Sequence, residues 1–330
     1  MHSFFFSTNV SESVERNIFS LLFISAFTIG VALAHNHCVR YAKYAIYTIG
    51  IAGITSGLYA MIFIPSAYAG ENFNGITSNA NYFALFLSVF FFPVLLENIQ
   101  NIKLRGIIKV FNIFLLILLI FIVIETRSRA AILTIFAIFL FYIYSKERLK
   151  KVTIIFNKRI ILSLTLLVLF IFNSGYMTNK YSESDVFTIE ETFSTRAIMY
   201  QYRIQGIIEK PYLGWGYTIN SHEGRMIEPW VFNLYEKGTT PLAVIEELGI
   251  FLGMIVLGFF WWLFFYGIKK IAKQPAIYLI VLGGLVNGLF ETWLFNFNSF
   301  FCWFFWLFVI ISLNKNSDNL EIDAAIVAKK

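Results

Sequence analysis

Apolar residues occur in continuous runs along nearly the whole chain, with short polar stretches between them. Such runs predict membrane-spanning α-helices, because about 20 apolar residues cross a bilayer core of roughly 30 Å. A transmembrane β-barrel would instead alternate apolar and polar residues. Reading each run as one span gives about nine segments, at residues 18–34, 44–64, 81–96, 106–124, 130–144, 160–172, 242–266, 276–290 and 297–313.

One polar stretch, residues 173–240, is much longer than the others. A connection of this length is usually functional or disordered rather than a passive link. We therefore divide the chain into an N-terminal helix bundle (1–172), the large loop (173–240), C-terminal membrane helices (241–313) and a tail (314–330).

Composition supports the same class. The 330 residues are 58% hydrophobic and 14% charged, whereas soluble globular chains are about 45–50% apolar and about 25% charged. Cys38 and Cys302 do not suggest a disulfide framework. The first apolar run begins near Ile18 without a basic region before it, so no cleavable signal peptide is expected. The sequence predicts an all-α, polytopic membrane protein.

Basic residues predict the orientation, because cytoplasmic loops of membrane proteins are enriched in Lys and Arg. One set of loops holds most of the 26 basic residues, including Lys103, Lys150, Lys270 and Lys315. The opposite short loops hold only Arg16, Arg127 and Arg129. We therefore expect a cytoplasmic C-terminus, an external N-terminus, and an external face shared by the large loop, the 65–80 loop and the turn at 125–129.

The segment Glu125-Thr-Arg-Ser-Arg129 lies at the predicted outer end of a strongly apolar helix. Charged residues at such a depth are costly and tend to be functional. Arg127 and Arg129 suit a phosphate or diphosphate, since guanidinium groups bind these oxygens bidentately. The alternative is an interfacial turn whose arginines extend to lipid headgroups. Their departure from the positive-inside pattern favours a binding role.

In the large loop, Ser194 is a candidate N-cap of a helix that Pro211 and Gly214 would stop. One face of that helix carries Arg196, Tyr200, Arg203 and Ile207, which follow one another at intervals of four, three and four residues. Two arginines on one face are candidates for a second anion contact. An ordinary solvated face is the competing interpretation.

His222 and the pair Glu246 and Glu247 are the candidate acid–base groups. His222 is the only histidine beyond residue 37. A histidine with a pKa near neutral can act as a general base. A plain surface histidine is the alternative. Glu246 and Glu247 follow Pro241 near the outer mouth of a membrane helix, where a carboxylate can face a polar cavity.

Other patterns give little support to further chemistry. The acidic residues of 183–191 lack metal-ligand spacing, and the fragment His35-Asn-His37-Cys38 is predicted to be cytoplasmic without partner ligands. The sequence holds no Walker motif and no dinucleotide-binding fingerprint. Neither a metal nor a cofactor is expected.

Several features occur together in one order. The string Thr126-Arg-Ser-Arg-Ala-Ala-Ile-Leu133 ends one helix and opens another, and a long loop with Arg196 follows. The strings Pro211-Tyr-Leu-Gly-Trp-Gly-Tyr217 and Glu247-Leu-Gly-Ile-Phe-Leu-Gly253 come next. Over about residues 106 to 260, this order resembles the bacterial O-antigen ligase and Wzy-type polymerase superfamily.

The resemblance implies a GT-C-like membrane fold and a metal-independent, inverting, lipid-linked glycosyltransferase. It implies transfer or polymerisation of a glycan on undecaprenyl diphosphate, at the outer face of the bacterial inner membrane, to an acceptor glycan or lipid A-core. By the resemblance, Arg127, Arg129, Arg196 and Arg203 contact diphosphate and glycan.

Two features depart from the family pattern. Ligases place a His-Asn pair shortly before the Glu-x-Gly helix, and that histidine is thought to be catalytic. Here the position reads Glu236-Lys-Gly-Thr-Thr-Pro-Leu242, which leaves Glu247 or His222 as the base. Family chains also usually begin inside and carry more spans, so one or more initial helices are expected to be absent.

Two other functions remain open from the residues. A transporter or flippase for an anionic lipid or solute would use the same arginines for binding without chemistry. Transporters usually show paired halves with broken helices, which the sequence does not indicate. A non-catalytic membrane assembly subunit would use the large loop for docking. Ligase and polymerase are not distinguished by the sequence.

Overall fold

The computed structural model of the protein describes residues 10–69, 72–75, 80–100, 106–150, 200–201, 203–216, 239–295 and 299–314. These residues are almost entirely helical. Besides the helical residues at 200–201 and 203–209, the α-helices of the described part of the chain are, in order, α1 (Val10–Phe63), α2 (Ala80–Leu85), α3 (Phe92–Gln100), α4 (Gly106–Glu125), α5 (Arg129–Lys150), α6 (Thr240–Lys270), α7 (Pro275–Gly288) and α8 (Phe300–Leu313). A π-helix, Phe86–Phe91, joins α2 to α3, and two-residue strands, Tyr68–Ala69 and Asn72–Phe73, pair antiparallel.

The prediction of a helical membrane protein is confirmed. Four helical segments of the described residues are long and apolar enough to cross a bilayer: His37–Phe63, Ala80–Gln100, Gly106–Glu125 and Thr240–Lys270. Shorter apolar helices cover Arg129–Tyr144, Pro275–Gly288 and Phe300–Leu313. The count of nine spans stays a prediction, and the predicted span at 160–172 lies outside the described residues.

The start of the chain differs from our prediction. We expected separate spans at 18–34 and 44–64, with a basic loop between them, but α1 continues through this region without a break. The intervening residues include neither Gly nor Pro, so nothing interrupts the helical hydrogen bonds. The predicted loop residue Lys43 lies on α1, where its Nζ pairs with the two carboxylate oxygens of Glu97 at 2.7 and 2.9 Å.

By its internal contacts the chain divides into two compact units. The first unit combines Met1–Ile29, Ser184–Tyr266 and Gly288–Leu307. The second combines Gly30–Glu183, Gly267–Asn287 and Phe308–Lys330. The candidate arginines of the 125–129 turn belong to the second unit, and the described part of the large loop belongs to the first.

The helical segment Ala80–Gln100 is the buried centre of the second unit. Its π-helical turn has a local cause in Pro93, which has no N–H and whose ring would clash with the carbonyl group four residues earlier in a regular helix. Widening the turn relieves this conflict, and the N–H of Phe92 donates to the carbonyl of Leu87, five residues back. Helix α1 approaches closely at Gly50, where an added Cβ would overlap the buried ring of Phe91.

Helix α5 is held against α7 within the same unit. A Cβ at Gly283 would meet the side chain of Ile138, so the two backbones lie close together. About one turn closer to the start of α5, the buried Asn287 Nδ2 donates to the Thr134 hydroxyl at 3.0 Å. These contacts position the first turns of α5, which carry Arg129.

Candidate functional site

The turn between α4 and α5 is held by its own hydrogen bonds. Helix α4 ends at Glu125, and the N–H of Arg127 donates to the Ile124 carbonyl at 2.9 Å. The buried Thr126 hydroxyl donates to the Val123 carbonyl at 2.7 Å and accepts from the N–H of Ser128 at 3.4 Å. Because the Thr126 hydroxyl bonds to the backbone on both sides, it shapes the turn that carries the two arginines.

Arg127 has a strained backbone. Its φ is 54°, and it is the one non-glycine residue with positive φ among the described residues. This left-handed conformation costs an L-residue about 1–2 kcal/mol, and glycine is the usual occupant of such a position after a helix. Strain of this kind persists mainly at functional positions. The side chain is half-buried, and its Nε atom is fully buried.

The short β-hairpin carries Tyr68, whose phenol is influenced by the carboxylate at the end of α4. Burial raises the pKa of the Tyr68 phenol, and the nearby carboxylate of Glu125 raises it further. Such an electrostatic effect requires the hairpin to lie near the end of α4. We predicted that the 65–80 loop and the 125–129 turn share the external face, and this stays a prediction.

In the first unit, α6 is broken near one end. Gly249 has φ 76° and ψ 169°, so the helix that begins at Thr240 is interrupted there and resumes toward Lys270. A break in a membrane helix leaves carbonyl and N–H groups that need other partners, because the hydrocarbon core supplies none. The sequence analysis did not predict a broken helix.

The string that begins at Pro211 supplies those partners. The N–H groups of Trp215 and Gly216 donate to the carbonyls of Glu246 and Glu247 at 3.0 and 2.9 Å. In return, the N–H of Ile250 donates to the Pro211 carbonyl at 2.7 Å. The segment 211–216, which we call the clamp, therefore completes the hydrogen bonding of the broken helix.

Two glycines allow the clamp and the helix to meet. Gly249 adopts a backbone region that is essentially restricted to glycine, and a Cβ there would overlap the carbonyl of Tyr212. Gly214, with φ 64°, faces the backbone of Glu247 in the same way. Glycine is required at both positions because backbone lies directly against backbone.

The clamp is anchored by the helical residues that precede it. The indole N–H of Trp215 donates to the Gly206 carbonyl at 2.9 Å, and the Lys210 ammonium lies 4.2 Å from the centre of the Trp215 ring. Arg203, which is 5% exposed, pairs through Nη1 with the buried carboxylate of Glu246. This buried ion pair ties the loop helix to α6 immediately before the break.

Arg203 and Glu247 therefore lie next to the same break. Glu247 is buried, at 6% exposure, and its carbonyl is one of those bonded by the clamp. Its assignment as a base and the assignment of Arg203 as a substrate contact stay predictions. Arg196 and His222 lie outside the described residues.

Sequence reasoning missed the ion pair and the helix break. We listed Glu246 only as an alternative to Glu247, although it is the partner of Arg203. The available signal was a glycine two residues after two adjacent carboxylates at the start of an apolar run, since such a glycine inside a helix marks a special backbone position. We identified the string that begins at Pro211, but the spacing of residues does not show that it bonds to α6.

The protein is thus a helical membrane protein with two unusual backbone features. One unit has the strained turn at Arg127, and the other has the helix break at Gly249 that the clamp completes. A family model described as O-Antigen ligase matches residues 114–240, which include the arginine turn and the clamp. This match confirms the resemblance to the O-antigen ligase and Wzy-type polymerase superfamily. No curated protein and no solved structure gives a significant match.

We predict that Gly249→Ala destabilises the protein by at least about 1–3 kcal/mol, because alanine cannot adopt this backbone without strain and its Cβ meets Tyr212. The matched control is Gly258→Ala in the same helix, where a Cβ has open space and alanine gains about 1 kcal/mol in helix propensity. Thermal unfolding of both variants in detergent measures the difference. Equal unfolding temperatures would contradict the clamp.

We also predict that the Arg203–Glu246 pair behaves as one buried unit. Arg203→Met or Glu246→Leu alone should cost about 3–5 kcal/mol, because each leaves a buried charge without its counter-charge. The double variant should recover most of this loss, since two apolar side chains replace the pair. Unfolding measurements on all four proteins complete the cycle. Simple additivity of the two single effects would show that the residues are not coupled.

Proposed function

We propose that the protein transfers or polymerises a glycan carried on undecaprenyl diphosphate, at the outer face of the bacterial inner membrane. The observation that carries this proposal is the strained Arg127 inside the segment that matches the O-antigen ligase family. A folded chain keeps a costly backbone conformation at an arginine when the arginine itself is needed.

The proposed reaction needs no nucleotide and no metal. The oxygen of an acceptor hydroxyl forms a bond to the anomeric carbon of the donor sugar, while the bond from that carbon to the diphosphate oxygen breaks. The hydroxyl proton passes to a basic side chain, and polyprenyl diphosphate leaves with the bonding electrons. Arginines assist by stabilising the negative charge that develops on the leaving diphosphate.

Arg127 and Arg129 are the proposed diphosphate contacts. They flank one turn at the end of α4, and both side chains are half-buried. Arg196 and Arg203 are proposed to contact the substrate from the large loop. A guanidinium carries five N–H donors, so Arg203 can keep its bond to Glu246 through Nη1 and still offer other donors.

Glu247 is our first choice for the base, with His222 as the second. Burial and the adjoining break of α6 support Glu247, because a buried carboxylate beside the loop is protected from solvent. The acceptor would be a glycan in a polymerase or lipid A-core in a ligase.

The proposal includes a membrane arrangement. We infer a GT-C-like fold in which the first two of the nine predicted segments form one helix, α1, which leaves about eight spanning segments. The large loop, residues 173–240, would be periplasmic between helix bundles at 1–172 and 241–313, and the tail from residue 314 would be cytoplasmic. The distribution of basic residues supports this orientation.

We expect Arg127→Lys and Arg129→Lys each to lower turnover roughly ten- to hundred-fold, because lysine keeps the charge but not the planar pair of donors and a charged hydrogen bond contributes about 1.5–3 kcal/mol. The assay is transfer from purified lipid-linked glycan in liposomes, beside the amount of folded protein. Full activity of the double variant would rule out a bidentate diphosphate contact.

Arg127→Gly separates the functional role of this arginine from a structural one. Glycine relieves the positive-φ strain, so folding stability should be kept or raised by up to about 1 kcal/mol, while turnover falls. Arg129→Gly is the matched control, since it places glycine at the start of a helix and should lower stability by up to about 1 kcal/mol. Loss of stability in Arg127→Gly would make the arginine a structural residue.

For the base, we expect Glu247→Ala to lower turnover more than His222→Ala, as the His-Asn pair is missing from the position before Pro241. Both variants are assayed with the same lipid-linked donor, and thermal unfolding reports whether Glu247→Ala is folded. Loss of transfer in His222→Ala with activity retained in Glu247→Ala would reverse the assignment.

A transporter or flippase is the second candidate, and the observation that favours it is the broken α6, since discontinuous membrane helices bind substrates in many transporters. Purified protein in liposomes distinguishes the two. A glycosyltransferase changes the covalent structure of the glycan, whereas a flippase changes only the leaflet in which the lipid-linked glycan is found.

Deletion of the protein from cells then separates polymerase from ligase. Surface glycan reduced to single repeat units indicates a polymerase. Free lipid-linked polymer, with none attached to its acceptor, indicates a ligase.

A further inference from the structure

The helical residues before the clamp have three distinct sides. Residues 200, 201 and 203–209 are helical, and successive side chains are turned by about 100°. One side is buried against the first unit and includes Arg203 and Gly206. The other two sides differ sharply in polarity.

The polar side consists of Gln201, Gln205 and Glu209, spaced four residues apart and all exposed. The apolar side is spaced in the same way, and it includes Ile204 and Ile208, which are 47% and 70% exposed. The two isoleucines therefore form an exposed apolar stripe that adjoins the exposed polar one. This arrangement is typical of a helix that lies in a membrane surface, with one side in lipid and one in water.

The clamp extends the apolar side. Tyr212 and Leu213 are 65% and 47% exposed, although they belong to a segment whose backbone is firmly bonded to α6. The Tyr212 ring stacks on Phe251, with ring centres 5.9 Å apart. Phe251 is 67% exposed on a helix that is long and apolar enough to cross the membrane.

The charge pattern of α6 sets the depth of this contact. Between Glu247 and Lys269 lie about 20 uncharged residues, which span roughly 30 Å as a helix, close to the thickness of a bilayer core. Phe251 then lies just inside the hydrocarbon boundary at the Thr240 end of α6. Tyr212, which stacks on it, lies at the level of the headgroups, where tyrosine is enriched in membrane proteins.

We propose that residues 204–213 are seated in the membrane surface at the Thr240 end of α6, with Ile204, Ile208, Tyr212 and Leu213 at the boundary between lipid headgroups and acyl chains. The occupant of the apolar side is bilayer lipid, because this side continues the outward-facing surface of α6 at Phe251. The polar side of the helix faces water. Arg203, on the third side, is thereby held close to the headgroup level.

This inference requires only that α6 spans the membrane, and it does not depend on glycosyl transfer. The test therefore uses no activity. Spin labels are attached to single cysteines in the full-length protein, reconstituted in phosphatidylglycerol–phosphatidylethanolamine vesicles, in a background carrying Cys38→Ser and Cys302→Ala. Power saturation then compares collisions with oxygen, which concentrates in lipid, and with a water-soluble nickel chelate.

Ile204→Cys and Ile208→Cys report the apolar side, and Gln205→Cys and Glu209→Cys are matched controls one residue further along the same helix. Phe251→Cys is the lipid-exposed reference. We expect oxygen to exceed the nickel chelate severalfold at 204 and 208, as at 251, with the opposite order at 205 and 209.

Two results would overturn the proposal. Equal access of the nickel chelate at 208 and 209 would show that the helix is fully in water. Low access of both reagents at 204 and 208 would show that protein covers the apolar side, either another part of this chain or a second copy. Labelled samples at two protein-to-lipid ratios distinguish those last two sources, since only contact with a second copy depends on the ratio.

Discussion

Backbone hydrogen bonding at the edge of the hydrocarbon core is the constraint on which the first unit depends. A membrane helix that stops and restarts at Gly249 exposes polar groups that lipid cannot satisfy. Three backbone hydrogen bonds from the clamp satisfy them, and two glycines make the approach possible. The loop is therefore part of the membrane helix in energetic terms, because neither structure is complete without the other.

The second unit stores its unusual feature in a different way. At Arg127 the backbone adopts a left-handed conformation that glycine would accept at lower cost. Buried hydroxyl and carbonyl groups around the turn fix that conformation. The two units thus show opposite solutions, since one uses glycine where backbone meets backbone and the other retains a charged side chain despite strain.

Hydrophobic patterning predicted the class and most helix positions, because burial in lipid requires continuous apolar runs. The starts of α4 and α5 fell within one residue of prediction, since charged and glycine residues mark them. The continuity of α1 was missed because basic residues suggested a loop where helix propensity had no interruption. For the candidate site, Arg127 and Arg129 were identified from charge alone, but the φ of Arg127 and the pairing of Arg203 with Glu246 depend on tertiary contacts that spacing does not encode.

The order of the clamp and its target along the chain has a consequence for biosynthesis. Residues 211–216 are translated before Glu246–Ile250, so the donors that will complete the broken helix have left the ribosome when that helix enters the membrane. Only about 35 residues separate the two partners, and closing a loop of this size carries a modest entropic cost. The clamp can therefore bond to the broken part of α6 during synthesis, as that helix moves into the lipid.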